Sequence, residues 1–293
     1  MKIAVLGNQD SWYVQQLCDA FRSANHEAAA CLFPELEARI LNGKSTLHIG
    51  DQAVTDYDAL IVRTMPPGSL EQVVLRMNLL ALAEASGAIV LNPAKAIECA
   101  VDKGLTSLRL SHAGLTVPNT VICESCEQAV NQFHQLGSDV IVKPIFGAEG
   151  RGILRVTDEQ MAWRTFRTLE RLHAAIYMQR FLPGRLEDIR VLVLDGEVVA
   201  SMKRFPADGD FRSNAAQQGT ATTYVANSHE AATAIKAAEV TSCIFAGVDL
   251  MYDDKNELNV IEVNAVPGWK ALQNYSTVNV PKTLVTWLQN RLN

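Results

Sequence analysis

The sequence predicts an α/β protein: a parallel sheet in its first part and an α+β arrangement built on antiparallel hairpins in its last part. Three observations carry this. Over residues 1–92, short apolar runs alternate with amphipathic helical segments, as in a parallel sheet with helical crossovers. Asn92 and Pro93 then break the chain and mark a domain boundary. Beyond them the strands come in pairs joined by turns, most clearly at Asp195 and Gly196, a dipeptide that favours a tight hairpin turn. With 293 residues, 48% of them apolar, the chain can form more than one core. The organisation read from it is 1–92, 93–178 and 179–293.

Composition excludes several classes. Lys and Arg total 26 against 32 Asp and Glu, a formal charge of −6. That balance lacks the basic stripe of a nucleic-acid protein. No apolar run approaches the length of a membrane span, and the run at residues 1–7 is too short for a signal segment, so a cytoplasmic protein with no membrane partner is expected. The six cysteines are irregularly spaced, which argues against a disulfide framework. Cys123 and Cys126 form a lone CxxC with no histidine pair to complete a zinc site. The six histidines are scattered, with no HExxH.

The elements follow in order. Residues 2–6 read as a buried strand, turned by Gly7 and Asn8 into a helix over 11–24. One glycine at that turn is too few for a dinucleotide fingerprint, which needs three. Residues 58–63 form a second buried strand. Ligands on parallel sheets sit at the carboxyl ends of strands, so Arg63 is a substrate-binding candidate alongside an ordinary loop role. Ser69 caps a helix to about 86, with Leu70, Val73, Val74, Met77, Leu80 and Ala81 as its apolar face. Gly87 closes it, and 88–91 is a strand. Gly43, Lys44 and Ser45 copy the end of a phosphate-binding P-loop, but the first glycine of that motif falls on Ala38 and no strand is read before it. Residues 94–113 read as a helix interrupted near Gly104. Strands at 120–123 and 139–143 bracket a helix at 125–136, and a strand at 153–156 leads to a helix capped at 157 or 158. A strand at 176–182 runs into Pro183 and Gly184. The hairpin 188–194 and 198–205 precedes a polar loop from Phe211, a helix over 230–245 and a closing helix over 280–292.

Two stretches carry chemistry. Lys143 precedes Gly147, Ala148, Glu149, Gly150, Arg151 and Gly152. Glycines let backbone amides turn toward an anion without Cβ obstruction, so with its two cations this loop reads as a phosphate clamp carried on a flap between two strands. A plain glycine-rich hairpin turn is the competing reading. The strand 259–264 places Val260, Glu262 and Asn264 on one face, with Ile261 and Val263 on the other. A carboxylate and a carboxamide side by side are hard oxygen donors suited to Mg²⁺. The apolar run 245–251 carries a single acid, Asp249. Joined to 259–264 through Asp253, Asp254, Lys255 and Asn256, it forms a hairpin that brings Asp249 alongside Glu262.

Taken in order, Val142, Lys143 and Pro144 with the glycine loop, Asp188 with Arg190, Phe211 through Asn214, Gly247 with Asp249, and Glu262 with Asn264, Pro267 and Gly268 resemble the ATP-grasp superfamily. Within it the chain is similar to RimK-type ligases, which add glutamate or another amino acid to a carboxylate. The segment from Arg63 to Glu71 and the tail from Val266 to Leu272 are similar to the subgroup linked to tetrahydromethanopterin one-carbon pathways. The resemblance implies an ATP-grasp fold behind a Rossmann-like pre-ATP-grasp domain, with ATP and two Mg²⁺ (or Mn²⁺) ions bound. It implies that Lys103, Lys143 and the glycine loop hold the triphosphate. Gln179, Arg180, Phe181 and Leu182 would be the adenine hinge, acting largely through their backbone. Asp188 would take the ribose or a neighbouring group, and Asp249, Glu262 and Asn264 the metal. Arg190, Lys203, Arg204, Arg212 and Asn214 would face the substrate carboxylate and the transferred phosphate. Gln179 departs from the acid common at that position, and residues 215–219 lack the basic residue many members carry. The acceptor implied is a tetrahydromethanopterin-type cofactor, a peptide or a protein C-terminus, with glutamate as the added amino acid and a homo-oligomer as the assembly. The rival readings are an ATP-binding regulatory module without chemistry and a small-molecule kinase of the same fold.

Overall fold

The structure is a computed structural model that describes residues 1–147, 151–183, 186–207, 210 and 220–292. The chain divides into two compact units. The first comprises Met1–Glu98, Ser242–Ala246 and Ala265–Asn293; the second comprises Cys99–Thr241 and Gly247–Asn264.

In the first unit, β1 (Lys2–Leu6), β2 (Glu27–Cys31), β6 (Ala59–Val62) and β7 (Ile89–Leu91) pair in parallel in the order β2-β1-β6-β7. This is the doubly wound arrangement expected from the alternating pattern, with the switch point between β1 and β6. Between β2 and β6 the chain adds a small antiparallel sheet of β3 (Leu36–Leu41), β4 (Lys44–Ile49) and β5 (Gln52–Ala53). The strand β3 therefore does precede the P-loop-like triplet. Asn42 and Gly43 take positive φ values of 51° and 76° in the hairpin turn, and Ser45 continues into β4 where a P-loop would start a helix.

Helix α1 (Trp12–Ser23) follows β1, and α2 (Leu70–Ala85) is capped by Ser69, whose hydroxyl accepts from the Gln72 amide at 3.3 Å. The buried face of α2 differs from the one expected: Arg76, Met77, Leu79, Leu80 and Ala83 are inside, and Leu70 and Val74 are exposed. Apolar residues surround this helix, so periodicity alone could not choose the face. The burial of Arg76 is offset by its donation to Pro66 O at 2.6 Å.

Asn92 is more than a chain breaker. Its side chain donates to Phe245 O (2.6 Å) and Ala265 O (2.5 Å) and accepts from the amides of Ile244 (2.7 Å) and Phe245 (2.8 Å). One buried carboxamide thus joins three separate segments of the unit. The closing helix α8 (Val280–Leu292) has the predicted bounds.

In the second unit the predicted interrupted helix is two helices. Part of α3 (Ala94–Val101) lies here, and α4 (Lys103–His112) starts anew where Asp102 caps it by accepting from Leu105 N at 2.9 Å. An antiparallel sheet runs β10-β9-β11-β8, from β8 (Thr120–Cys123), β9 (Val140–Lys143), β10 (Leu154–Val156) and β11 (Ile176–Arg180). With α5 (Cys126–Gln135) and α6 (Glu159–Arg171) it encloses a core that includes Phe133, Val140, Val142, Phe166, Ile176 and Met178.

A second sheet runs β14-β13-β12-β15-β16, with β12 (Asp188–Leu194), β13 (Glu197–Phe205), β14 (Thr220–Thr223), β15 (Phe245–Tyr252) and β16 (Leu258–Asn264). Asp195 and Gly196 form the predicted turn, with φ values of 50° and 82°. Helix α7 (Ser228–Val240) is shorter than predicted. Asn227 caps it through bonds to His229 N and Glu230 N, and it stops before Ser242, whose φ of 60° cannot continue a helix.

Candidate active site

The second unit holds the described candidate site. Lys143 ends β9, and its Nζ donates to Gln179 Oε1 at 2.7 Å. Gln179 in turn donates to Thr120 Oγ1 at 3.0 Å and is 2% exposed, so its side chain orients the lysine. An acid at this position would neutralise the ammonium; a carboxamide accepts from it and leaves its charge for a ligand. Burial pushes Lys143 down to about 8. Glu262 works against that shift, Lys103 adds to it, and Asp249 opposes it.

Lys103 occupies the first position of α4. Its Nζ donates to Gly147 O at 2.5 Å and lies 3.4 Å from Glu262 Oε1, so it tethers the entrance of the glycine loop to the acid strand. That loop joins β9 to β10. Gly152 adopts φ 73°, which disfavours any side chain, and a Cβ on Gly147 would come within 3.1 Å of Pro144. Arg151 is exposed; Ala148, Glu149 and Gly150 lie outside the described residues.

The hinge segment is partly committed elsewhere. The amides of Arg180 and Phe181 donate to Asn119 O (2.8 Å) and Asp139 O (2.9 Å). Those two amides are therefore already committed within the second unit. Phe181 also stacks beneath Arg155, 3.6 Å from guanidinium carbon to ring centroid.

The acid hairpin has the expected register, with Asp249 opposite Glu262. It also contains a bulge, because Leu250 pairs with Val260 and leaves Ile261 as the extra residue. The slip moves Val260 to the face opposite Glu262, correcting the simple alternation. Val260 is buried, and Glu262 and Asn264 are half-buried. Asn264 Nδ2 donates to Gly247 O at 3.3 Å.

Cations approach these acids from the neighbouring strands. Arg190 grips Asp249 with a two-point contact, Nε to Oδ1 and Nη2 to Oδ2, the second at 2.7 Å. Arg204 grips Asp188 in the same way (2.5 and 2.8 Å), and its Nη2 lies 3.0 Å from Asp249 Oδ1. Burial disfavours the charge on Asp249, but the two guanidinium groups outweigh it and hold its carboxyl below the usual range. Arg204 is likewise pulled down by burial and raised overall by Asp249 and Asp188. Lys203 pairs with Glu187 at 2.8 Å and lies over the Tyr224 ring. Arg212 and Asn214 lie outside the described residues.

Some site neighbours gave no signal in the sequence. Tyr177 OH meets Ser107 Oγ at 2.8 Å, and burial pushes its phenol up to about 12. Glu230 is buried, accepting from the hydroxyls of Tyr224 (2.9 Å) and Tyr252 (3.1 Å). Ser107 meets Tyr177 through helix-on-sheet packing, and Glu230 gathers Tyr224 and Tyr252 at the start of α7, so these contacts follow from tertiary packing and not from a motif. In the first unit Arg63 is 7% exposed, donates to Pro267 O at 2.8 Å and packs against the rings of Tyr13 and Trp269. Burial lowers it to about 10. These contacts favour a packing role over a substrate contact.

Among the described residues no three His, Cys, Asp or Glu side chains cluster to hold a metal. The third donor expected from the sequence is not of that set: it is the carboxamide of Asn264, which follows Glu262 by two residues on β16. An all-oxygen set of two acids and one amide fits a hard cation that draws its remaining ligands from phosphate and water.

Solved ligases share this architecture. The ligase PsnB complexed with minimal precursor, Mg and ADP superposes with a TM-score of 0.78 at 19% identity, over 99% of this chain and 97% of that one. D-cycloserine synthetase DcsG superposes with a TM-score of 0.76 at 16% identity over the full length of both. The fold is that of an ATP-grasp carboxylate–amine ligase. More narrowly, the chain belongs to the RimK-like ATP-grasp family: residues 100–288 match the RimK-like ATP-grasp domain and residues 1–97 the RimK PreATP-grasp domain. The tetrahydromethanopterin:alpha-L-glutamate ligase of Methanosarcina acetivorans is 31% identical over 270 residues, 83% of each chain. A probable alpha-L-glutamate ligase of Thioalkalivibrio sulfidiphilus is 30% identical over 293 residues, 99% of this chain and 95% of the relative.

Proposed function

We propose that the protein joins L-glutamate, or another amino acid, to a carboxylate acceptor at the expense of ATP. The observation that carries this is the pairing of Lys103 with Glu262, with the buried Lys143 held by Gln179 in the same unit as the Asp249–Arg190 and Asp249–Arg204 pairs. Such a site can bind a polyphosphate at one end and a carboxylate at the other. Lys103, Lys143 and the flap amides orient the triphosphate, and phosphoryl transfer depends mostly on such positioning and charge neutralisation. Asp249, Glu262 and Asn264 would hold Mg²⁺, which would supply charge neutralisation for the transferred phosphoryl group.

An acceptor carboxylate oxygen attacks the γ-phosphorus, the bond to the bridging oxygen breaks, and ADP leaves with an acylphosphate in place. The amine of the incoming amino acid then attacks the acyl carbon, loses a proton, and expels inorganic phosphate as the amide forms. Arginine suits the carboxylate because its fork makes two parallel hydrogen bonds, which lysine cannot do. Arg190, Arg204 and Arg212, with Asn214, are assigned to that end. Flap closure limits hydrolysis of the acylphosphate.

The names of the relatives support glutamate as the amino acid, and one of them supports a tetrahydromethanopterin-type acceptor; a peptide or a protein C-terminus is the other acceptor that the family resemblance implies. The test is ADP and phosphate release from Mg²⁺-ATP, with amino-acid pools in the presence and absence of a cell extract, and mass spectrometry of the products. Glutamate-dependent release with a mass gain of one glutamyl unit is expected. A stable phosphorylated product without amide formation would replace the ligase by a kinase.

A further inference from the structure

We propose that the outer face of α2 is the surface on which a second copy of this chain docks, the two helices running antiparallel about a two-fold axis at Asn78. That face carries Val74, Leu75, Asn78, Ala81 and Leu82. Val74, Leu75 and Leu82 are 47%, 54% and 50% exposed. One exposed leucine is ordinary on a protein surface, but an unbroken apolar stripe is not. Spacings of three and four residues gather these side chains within about 120° of the helix surface, centred on Asn78. The helix already buries Met77, Leu80 and Ala83 in its own unit. The stripe is therefore a second apolar face, one that the folding of the first unit does not use.

A symmetric dimer presents the same patch on both copies, so the patch must fit itself. This one does. In an antiparallel pair centred on Asn78, helical geometry sets Leu75 beside Leu82 of the second copy and Val74 beside its Ala81. The leucines of both copies gather along one edge of the seam, and the smaller side chains line the other. Glu71, the acid nearest the stripe, falls at its end against Ala85 of the second copy, so no like charges oppose each other. The two Asn78 carboxamides meet on the axis, where each can donate to and accept from the other. One polar residue in an apolar seam fixes the register of paired helices, because a slip leaves it facing hydrocarbon. A stable interface buries roughly 800 Å² on each side. Helix α2 runs for about 24 Å, and the hairpin of β3 and β4 packs beside it with Ile40 and Leu41 exposed, which adds apolar surface to the stripe.

The experiment weighs the full chain by light scattering up to about 100 μM, beyond the micromolar end of interfaces of standard size. A dimer is expected, and added salt should not weaken it, because the seam is uncharged. Leu75→Glu should raise the dimer dissociation constant on the order of 100-fold, since the two-fold axis sets a charge against leucine at two places. Leu82→Lys should do the same. The double variant should recover the dimer, because the introduced acid of each copy meets the introduced lysine of the other, and this dimer should weaken with salt. Both sites are exposed in the single chain, so thermal melts of diluted samples should stay close to the wild type. Oxidised glutathione should link two copies of Asn78→Cys through a disulfide. It should not link two copies of Glu71→Cys, whose thiols lie about 20 Å apart across the axis, but should link Glu71→Cys to Ala85→Cys when the two are mixed. The wild type, with five of its six cysteines buried, is the control. A wild type that is monomeric at every concentration overturns the proposal. So does an oligomer that Leu75→Glu leaves intact, a double variant that stays monomeric, or a cross-link through Glu71→Cys alone without one through Asn78→Cys. If Leu75→Glu does not fold, Leu82→Lys and the Asn78→Cys cross-link decide in the same way. None of these readouts needs turnover, so they decide the interface whatever the outcome for the ligase reading.

Discussion

Raising the pH from 7 to 9 should weaken nucleotide binding about tenfold through a single side chain. Lys143 titrates at about 8 in the ligand-free protein, down from 10.5, because burial disfavours its charge. The shift of about 2.5 corresponds to roughly 3 kcal/mol between the two protonation states. The folded-state value is lowered, so holding the proton costs stability. That cost is fully present below pH 8, declines between 8 and 10.5, and is gone above the unfolded value.

A triphosphate beside the ammonium reverses the preference and restores the proton. Binding is then tightest where Lys143 is already charged, about 90% at pH 7. It falls as the charged fraction drops to about 10% at pH 9, with a proton taken up on each binding event there. Calorimetry in two buffers of different ionisation enthalpy measures affinity and proton uptake together. Lys143→Met supplies the control: it should bind weakly with little pH dependence beyond the nucleotide's own titration, which the wild type shares. A wild-type affinity constant from pH 7 to 9, with no proton uptake at pH 9, would refute both the lysine's role and the burial argument.

Three other perturbations bear on separate parts of the molecule. Glu262→Gln removes a metal-side carboxylate and the partner of Lys103, so turnover should fall on the order of 100-fold with a raised Mg²⁺ requirement; wild-type turnover would sink the metal assignment. Asn92→Ala should lower the melting temperature by roughly 10 °C, because four buried backbone groups lose their partner at a cost of about 3 kcal/mol or more. A shift under a degree would show that these groups find other partners. Arg63→Met keeps the stem between the rings and removes a charge with no acidic partner among the described residues. Stability should change by about 1 kcal/mol with acceptor KM unaltered; a large rise in KM would return Arg63 to the substrate.

What the sequence disclosed and what it hid divide along a physical line. Local signals were legible: the Asp195–Gly196 turn, the caps at Ser69 and Asp158, and the pairing of Asp249 with Glu262 through a polar turn. Each depends on a few adjacent residues whose backbone preferences are intrinsic. The bulge at Ile261 was not legible, because one inserted residue leaves the apolar pattern of the strand intact while reversing its faces. The buried face of α2 was hidden because leucines surround the helix. The face that is buried also carries Arg76, which finds an acceptor in Pro66 O.

Most consequential for function are the charge pairings, which depend on strand neighbours far apart in the chain. Asp188, Arg190, Arg204 and Asp249 could each be read as a candidate for a ligand. In the folded protein they are first partners of one another. A site of this kind keeps its charges satisfied before substrate arrives, since an unpaired buried charge would cost several kcal/mol. Under the proposed function, nucleotide and metal compete with these internal partners. The binding order and the Mg²⁺ requirement are then set by the same guanidinium groups that are proposed to hold the carboxylate substrate.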